Sequence, residues 1–248
     1  MKATERHKLK ENEFARSVAQ AREVVGHRRG DVIKLVVALI VLLAIVGGYA
    51  WWRSSREARA NQALAAALAV YEMPVVPIPP PAPGSPPPVP QPGTFSTEQE
   101  KLAAALPKFV AAADAHANTR AGIVARFHAA GILAAQGKAA EAEQRYKDVI
   151  DKAGKDDIYA RTAKLGLAEA QVAQGKYDSA IALYTELSRD AASTLPLDSV
   201  LMHLGRAYAR AGKKEEAVRS FTRVVDEFPQ SAYAADARRE MEETKKAS

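Results

Sequence analysis

The dipeptide Gly-Lys returns three times in the second half of this 248-residue chain, as Gly137-Lys138, Gly175-Lys176 and Gly212-Lys213, at offsets of 38 and 37 residues. The residues around it return too. About eighteen positions earlier stands a residue suited to cap a helix (Thr119, Asp157, Thr194), and five positions later an alanine (Ala142, Ala180, Ala217). Four residues beyond each alanine comes an aromatic (Tyr146, Tyr184, Phe221), then an aliphatic at the next turn (Val149, Leu187, Val224). This order describes a helical hairpin: a first helix A, a glycine free to adopt left-handed φ at the turn, and a second helix B. An alanine at one crossing lets two helices approach, and the aromatic a turn later fills the wedge beside it. One hairpin cannot bury its own apolar face, so the pattern demands a stack of them.

In the third unit Leu201, Leu204, Gly205, Tyr208, Ala217, Phe221 and Pro229 fall on the consensus positions of the tetratricopeptide repeat family, with Leu201 where that family has tryptophan. The chain therefore resembles that family. The first two units depart from it, having Leu133 and Gln171 at the tyrosine position and Gly154 and Ala192 at the closing proline. The long period implies a helix A about one turn longer than usual, as in the repeats of bacterial envelope proteins. Ser231–Lys246 is expected as a closing helix A, and 97–118 as a leading half-unit opened by a capping box, Thr97-x-x-Glu100. The expected fold is all-α: an N-terminal transmembrane helix, a proline-rich spacer, and a tetratricopeptide-type α-solenoid of about three repeats with a closing helix.

The transmembrane expectation rests on Leu35–Trp52, an uninterrupted run of apolar residues and glycine. At about 1.5 Å per residue it covers roughly 27 Å, close to a hydrocarbon core. Lys34 at one end can snorkel, while Tyr49, Trp51 and Trp52 form an aromatic anchor at the other. Besides Lys34, eight lysines and arginines precede the run and only Arg53, Arg56 and Arg59 follow it closely, which places the N-terminus in the cytoplasm. Ala58-Arg59-Ala60 matches a signal-cleavage pattern, but the run is longer than a signal core. Phe14, Val18, Ala21 and Val25 are spaced as on a helix lying on the inner leaflet, or belong to a solvated tail. Residues 74–93 hold eleven of the fourteen prolines, which read as a polyproline II spacer reaching up to roughly 60 Å. The expected layout is a basic cytoplasmic tail (1–31), a membrane helix (32–52), a juxtamembrane helix (53–73), the spacer (74–93) and the repeat domain (94–248). This order resembles the bacterial inner-membrane tetratricopeptide proteins ancillary to the Sec translocon, a resemblance that implies a periplasmic repeat domain and translocon subunits among the partners.

The chemistry expected is binding, not catalysis. The formal charge is +6, but residues 94–248 carry 23 bases against 22 acids, so the excess flanks the apolar run and nucleic acid is not an expected partner. Cysteine is absent, which removes thiolate metal sites and cysteine nucleophiles. No two of the five histidines stand at i, i+3 or i+4, Gly131 and Gly137-Lys138 have the wrong spacing for a phosphate loop, and no serine-nucleophile motif occurs. No metal and no cofactor is expected. The tetratricopeptide resemblance implies a concave wall made by the fifth and ninth positions of each helix A: Phe127, Leu165 and Met202, then Gly131, Glu169 and Arg206. These form a candidate groove for apolar segments of unfolded polypeptides or of other proteins, with Met202 as its adaptable member. The competing role is a structural adaptor in a cell-division or outer-membrane assembly machine.

Overall fold

A computed structural model describes residues 29–79, 89, 91–154, 157–190 and 195–246. The expected surface helix at Phe14, Val18 and Val25, and the cap Thr194, lie outside the described residues. Among those described there are nine helices and one isolated β-bridge. The helices are α1 (Arg29–Tyr71), α2 (Glu98–Ala115), α3 (Arg120–Ala135), α4 (Ala139–Ala153), α5 (Ile158–Ala173), α6 (Tyr177–Arg189), α7 (Leu197–Arg210), α8 (Lys214–Glu227) and α9 (Ala234–Lys246).

The chain divides into two compact units at Ser55. Of the first, residues 29–55 are described, and all are helical. The large apolar side chains from Ile33 to Trp52 are each at least 50% exposed. The helix is long and apolar enough to be a candidate membrane span.

The second unit is a helical solenoid in which each helix from α2 to α9 packs on the next, and α3 also touches α5. The three Gly-Lys turns have one geometry. Gly137, Gly175 and Gly212 have φ of 76°, 74° and 76°. The lysine amide after each returns to the carbonyl of Leu133, Gln171 or Tyr208 at 2.9, 2.8 and 2.9 Å. This is the six-to-one bond that closes a helix through a left-handed residue. The expected caps Thr119 and Asp157 accept from the amides of Gly122 and Tyr159 at 3.0 and 2.7 Å. Thr97 accepts from Glu100 at 3.1 Å, and the Glu100 carboxylate reaches back to the Ser96 amide.

The third unit departs from expectation at its start. α7 begins at Leu197, with Pro196 in the capping position and no side-chain cap. A proline drives the residue before it out of the helical region, so the helix cannot extend back through Leu195 toward Thr194. The long helix A is thus found in α3 and α5, of 16 residues each, while α7 has 14. The closing helix starts at Ala234 rather than Ser231. Ser231 instead accepts from the Tyr233 amide and donates to Asp198 Oδ2.

The alanine-rich residues that follow the candidate span belong to the repeat core. Ala67 is fully buried with Leu102, Ala105, Phe109, Ala112, Ala129 and Ile132, and Ala63, Leu64, Leu68 and Tyr71 pack against this cluster. Ala60, the last residue of the cleavage pattern, is buried in mid-helix. The two ends of the proline-rich stretch lie together rather than far apart: the Val76 amide donates to the Phe95 carbonyl at 2.8 Å and Phe95 to Pro74 at 3.1 Å. A stretch whose two ends are paired adds no reach between α1 and α2.

The anchor residues form the core: Ala142, Ala180, Ala217, Tyr146, Tyr184, Phe221, Val149, Leu187 and Val224 are all buried. Leu204 and Gly205 are buried as well, Tyr208 packs at the edge, and Pro229 follows the end of α8. The closest approach in the third unit is at Gly205, where a β-carbon would stand 2.5 Å from the Phe221 ring. Gly131, inside α3, has only the Tyr146 hydroxyl at 3.7 Å. Gly205→Ala is therefore expected to destabilise by about 1–3 kcal/mol through overpacking. Gly131→Ala is expected to stabilise by about 0.5–1 kcal/mol through helix propensity. Urea midpoints of the two variants moving in the same direction would refute this packing.

Candidate functional site

Helix A of the first unit presents two adjacent aromatic side chains, Phe127 and His128, and each extends a row of rings. His128 stacks on Phe109 at 5.0 Å and meets Tyr71 at 5.7 Å, while Tyr71 meets Phe109 edge-on at 5.8 Å. On the other side Phe127 meets Tyr159 at 5.5 Å and Tyr146 at 6.0 Å. Phe109 and Tyr146 are buried, whereas Tyr71, His128, Phe127 and Tyr159 are half-buried and keep part of each ring open. Cations flank the row: the Lys101 ammonium is 5.7 Å from the Tyr71 ring, and the Arg120 guanidinium 4.9 Å from that of Tyr159. Aromatic rings with cationic neighbours bind chain segments by contact area at small entropic cost.

The other expected groove residues differ in placement. Leu165 is half-buried and packs against the cluster of Ala168, Ala180, Tyr184 and Leu204. Met202 is fully buried among Leu201, Ala217, Phe221 and Val224, so it is a core residue and no ligand can reach it. The register puts it one residue after Leu201, inside the turn that α8 covers. Glu169 is exposed and its carboxylate lies 3.8 Å from His203 Nε2. Desolvation raises the Glu169 carboxyl above its ordinary value, although half of the side chain still meets solvent. Arg206 is engaged by Glu240 of the closing helix through contacts of 2.6, 2.9 and 3.1 Å, a forked pairing that raises the guanidinium pKa further. Phe127 thus belongs to an aromatic half, and Glu169 and Arg206 to a charged half whose arginine is internally paired.

Sequence reasoning missed Tyr71, His128 and Tyr159. A signal for His128 exists: it and His203 stand 75 residues apart, two repeat periods, nine positions after the expected caps Thr119 and Thr194. His203 stacks on Tyr184 at 5.8 Å as His128 stacks on Phe109. Gly166 holds the same place in the second unit, where a β-carbon would strike Tyr146 at 2.4 Å. This position always lies over the aromatic ring of the preceding helix B. Burial lowers both imidazoles below their ordinary value, opposed at His128 by Glu72 and reinforced at His203 by Arg206.

A family model described as tetratricopeptide repeat-like domain matches residues 28–236. The chain belongs to that family. Its repeats are similar in fold to the nearly identical TPR-like repeats of a candidate kinesin light chain from Podosopora anserina. That match has a TM-score of 0.53 at 19% identity and covers 60% of this chain and 81% of the other. A tetratricopeptide repeat protein from Parabacteroides merdae matches with a TM-score of 0.50 at 17% identity, over 60% of this chain and 56% of that one. Comparison with curated proteins gives no match. The tetratricopeptide repeat is generally a protein-interaction fold.

The edge of this tetratricopeptide repeat solenoid carries a buried acid. Glu143 receives Lys147 at 2.7 Å and Lys176 and Gln174 at 2.8 Å each. The bonds from Lys147 and Lys176 hold its carboxyl at about 2, below the ordinary 4.5. A carboxyl depressed by folding contributes stability that is complete above the unfolded value and disappears as pH falls through the folded one. Glu143→Gln is therefore expected to lower stability at pH 7 by about 1–3 kcal/mol and to flatten the acid limb between pH 4.5 and 2. Denaturant midpoints that fall equally steeply in both proteins over that window would contradict the arrangement.

Proposed function

We propose that the chain is a membrane-anchored protein-binding module, with residues 1–31 in the cytoplasm, 32–52 across the inner membrane of a bacterium, and the repeats in the periplasm. The observation that carries the binding reading is the half-buried ring row of Tyr71, His128, Phe127 and Tyr159 on a tetratricopeptide solenoid. Four open rings offer area to an apolar or aromatic stretch of chain without demanding one sequence, as suits an accessory that holds newly exported polypeptide near the Sec translocon. The anchoring reading is supported by the exposed apolar side chains from Ile33 to Trp52 and by the basic excess before them. No catalysis and no nucleic acid enter the proposal.

A second reading, an adaptor that docks one folded partner in a cell-division or outer-membrane machine, is favoured by the fixed Arg206–Glu240 pair. Fixed charges select a single complementary surface, whereas rings accept many.

Topology and binding are tested separately. A reporter active only in the cytoplasm should work when fused at Lys2 and fail at Ser248; the opposite pattern rejects the orientation. A photo-crosslinking residue at Phe127 or Tyr159 should capture several envelope polypeptides, while one at the exposed Glu141 of α4 should capture few. Capture of a single species at all three sites would support the adaptor instead.

A further inference from the structure

The lysines of the second and third Gly-Lys turns reach the helix B of the unit before them. Lys176 Nζ lies 2.8 Å from Glu143 Oε2, and Lys213 Nζ lies 2.6 Å from Asp178 Oδ1. Beside Lys176, Gln174 donates to the same Glu143 oxygen at 2.8 Å. Relative to the buried anchor alanines, Glu143 follows Ala142 by one residue and Asp178 precedes Ala180 by two. Two of the three turns therefore hold a carboxylate from within the chain.

At the first turn the donors are present and the acid is not. Lys138 and Gln136 correspond to Lys176 and Gln174. The helix before them is α2, where Ala105 and Phe109 are fully buried at the alanine-plus-four-aromatic spacing of every helix B. Counting from Ala105, the positions that bear Glu143 and Asp178 elsewhere are Leu106 and Ala103. Among the described residues neither Lys138 nor Gln136 has a side-chain partner. Lys138, Gln136, Ala103, Leu106 and Leu102 line one open cleft of about 680 Å³. Its single acid, Glu98, lies 2.9 Å from Lys101, and Pro107 lacks the amide that would have served the Ala103 carbonyl.

We propose that this cleft docks an acidic side chain of a partner protein, with its carboxylate on Lys138 and Gln136 and an adjoining apolar residue on Leu102 and Leu106. The donor pair is the one that holds Glu143 a unit later, and charge complementarity with an apolar floor defines the occupant as aspartate or glutamate beside a hydrophobic residue. The proposal rests on the protein-binding reading and adds a second, chemically distinct contact to the ring row.

The test is zero-length carbodiimide coupling, which joins an amine to a carboxylate in contact with it, on membranes containing the full chain, followed by peptide mass spectrometry. Lys138 is expected to couple to an aspartate or glutamate of another polypeptide with an apolar residue next to it. Leu106→Glu places an acid where Glu143 stands in the next unit; the intermolecular adduct should drop about tenfold and a Lys138 adduct to the introduced acid should appear. Photo-capture at Phe127 in the same variant reports whether the domain remains folded and whether the ring row still binds. Coupling of Lys138 only to Glu98 of its own chain, with capture at Phe127 intact, overturns the cleft and leaves the module reading standing. An intermolecular adduct of equal yield in the wild type and in folded Leu106→Glu also overturns it. Loss of capture at Phe127 in the wild type, with no Lys138 adduct, overturns both.

Discussion

The stack depends on a ring meeting a small residue. Phe109, Tyr146, Tyr184 and Phe221 are all buried, one on each helix B. A helix pair that closes on a ring can do so only where its partner offers no bulk, and alanine or glycine stands at those crossings. Ala130, Ala168 and Gly205 hold one such position, and all three are buried. With the rotation of every helix set by that contact, the remaining phases of each helix are free for other uses. One phase puts His128 and His203 over the preceding ring, and another leaves Phe127 half-open.

Much of this architecture was legible in the residues themselves. Gly-Lys at offsets of 38 and 37, followed by alanine and aromatic at fixed distances, specifies turn, crossing and wedge together, and the helices lie where those marks put them. Helix starts were less legible, because a proline overrides a cap: Pro196, not Thr194, decides where α7 begins. The candidate binding surface was legible only at Phe127. Family positions pointed to Met202, but whether a side chain at a given position faces solvent depends on what the following helix covers. Tyr71 was hidden for another reason: it lies before the prolines, in a segment that reads as a juxtamembrane helix and not as part of the repeats.

The leading unit explains that segment. Residues 56–71 supply Ala67 and its neighbours to the cluster around Phe109, the contribution that a helix A makes in the later units. α2 supplies the anchor alanine and aromatic of a helix B. What stands between them, in place of a two-residue glycine turn, is the proline-rich stretch. The half-unit expected before the first repeat is completed by residues from the far side of those prolines.

The Val75–Phe95 bridge makes that stretch a permissive site. Its ends meet through backbone bonds at Pro74, Val76 and Phe95, and lengthening a closed loop costs only about 0.6 kcal/mol for each doubling. Insertions and deletions between Ile78 and Gln91 are therefore expected to leave the paired ends in place. Length variation among homologous chains should concentrate there, and an epitope tag or fluorescent domain placed in that interval would label the folded protein from its own first unit.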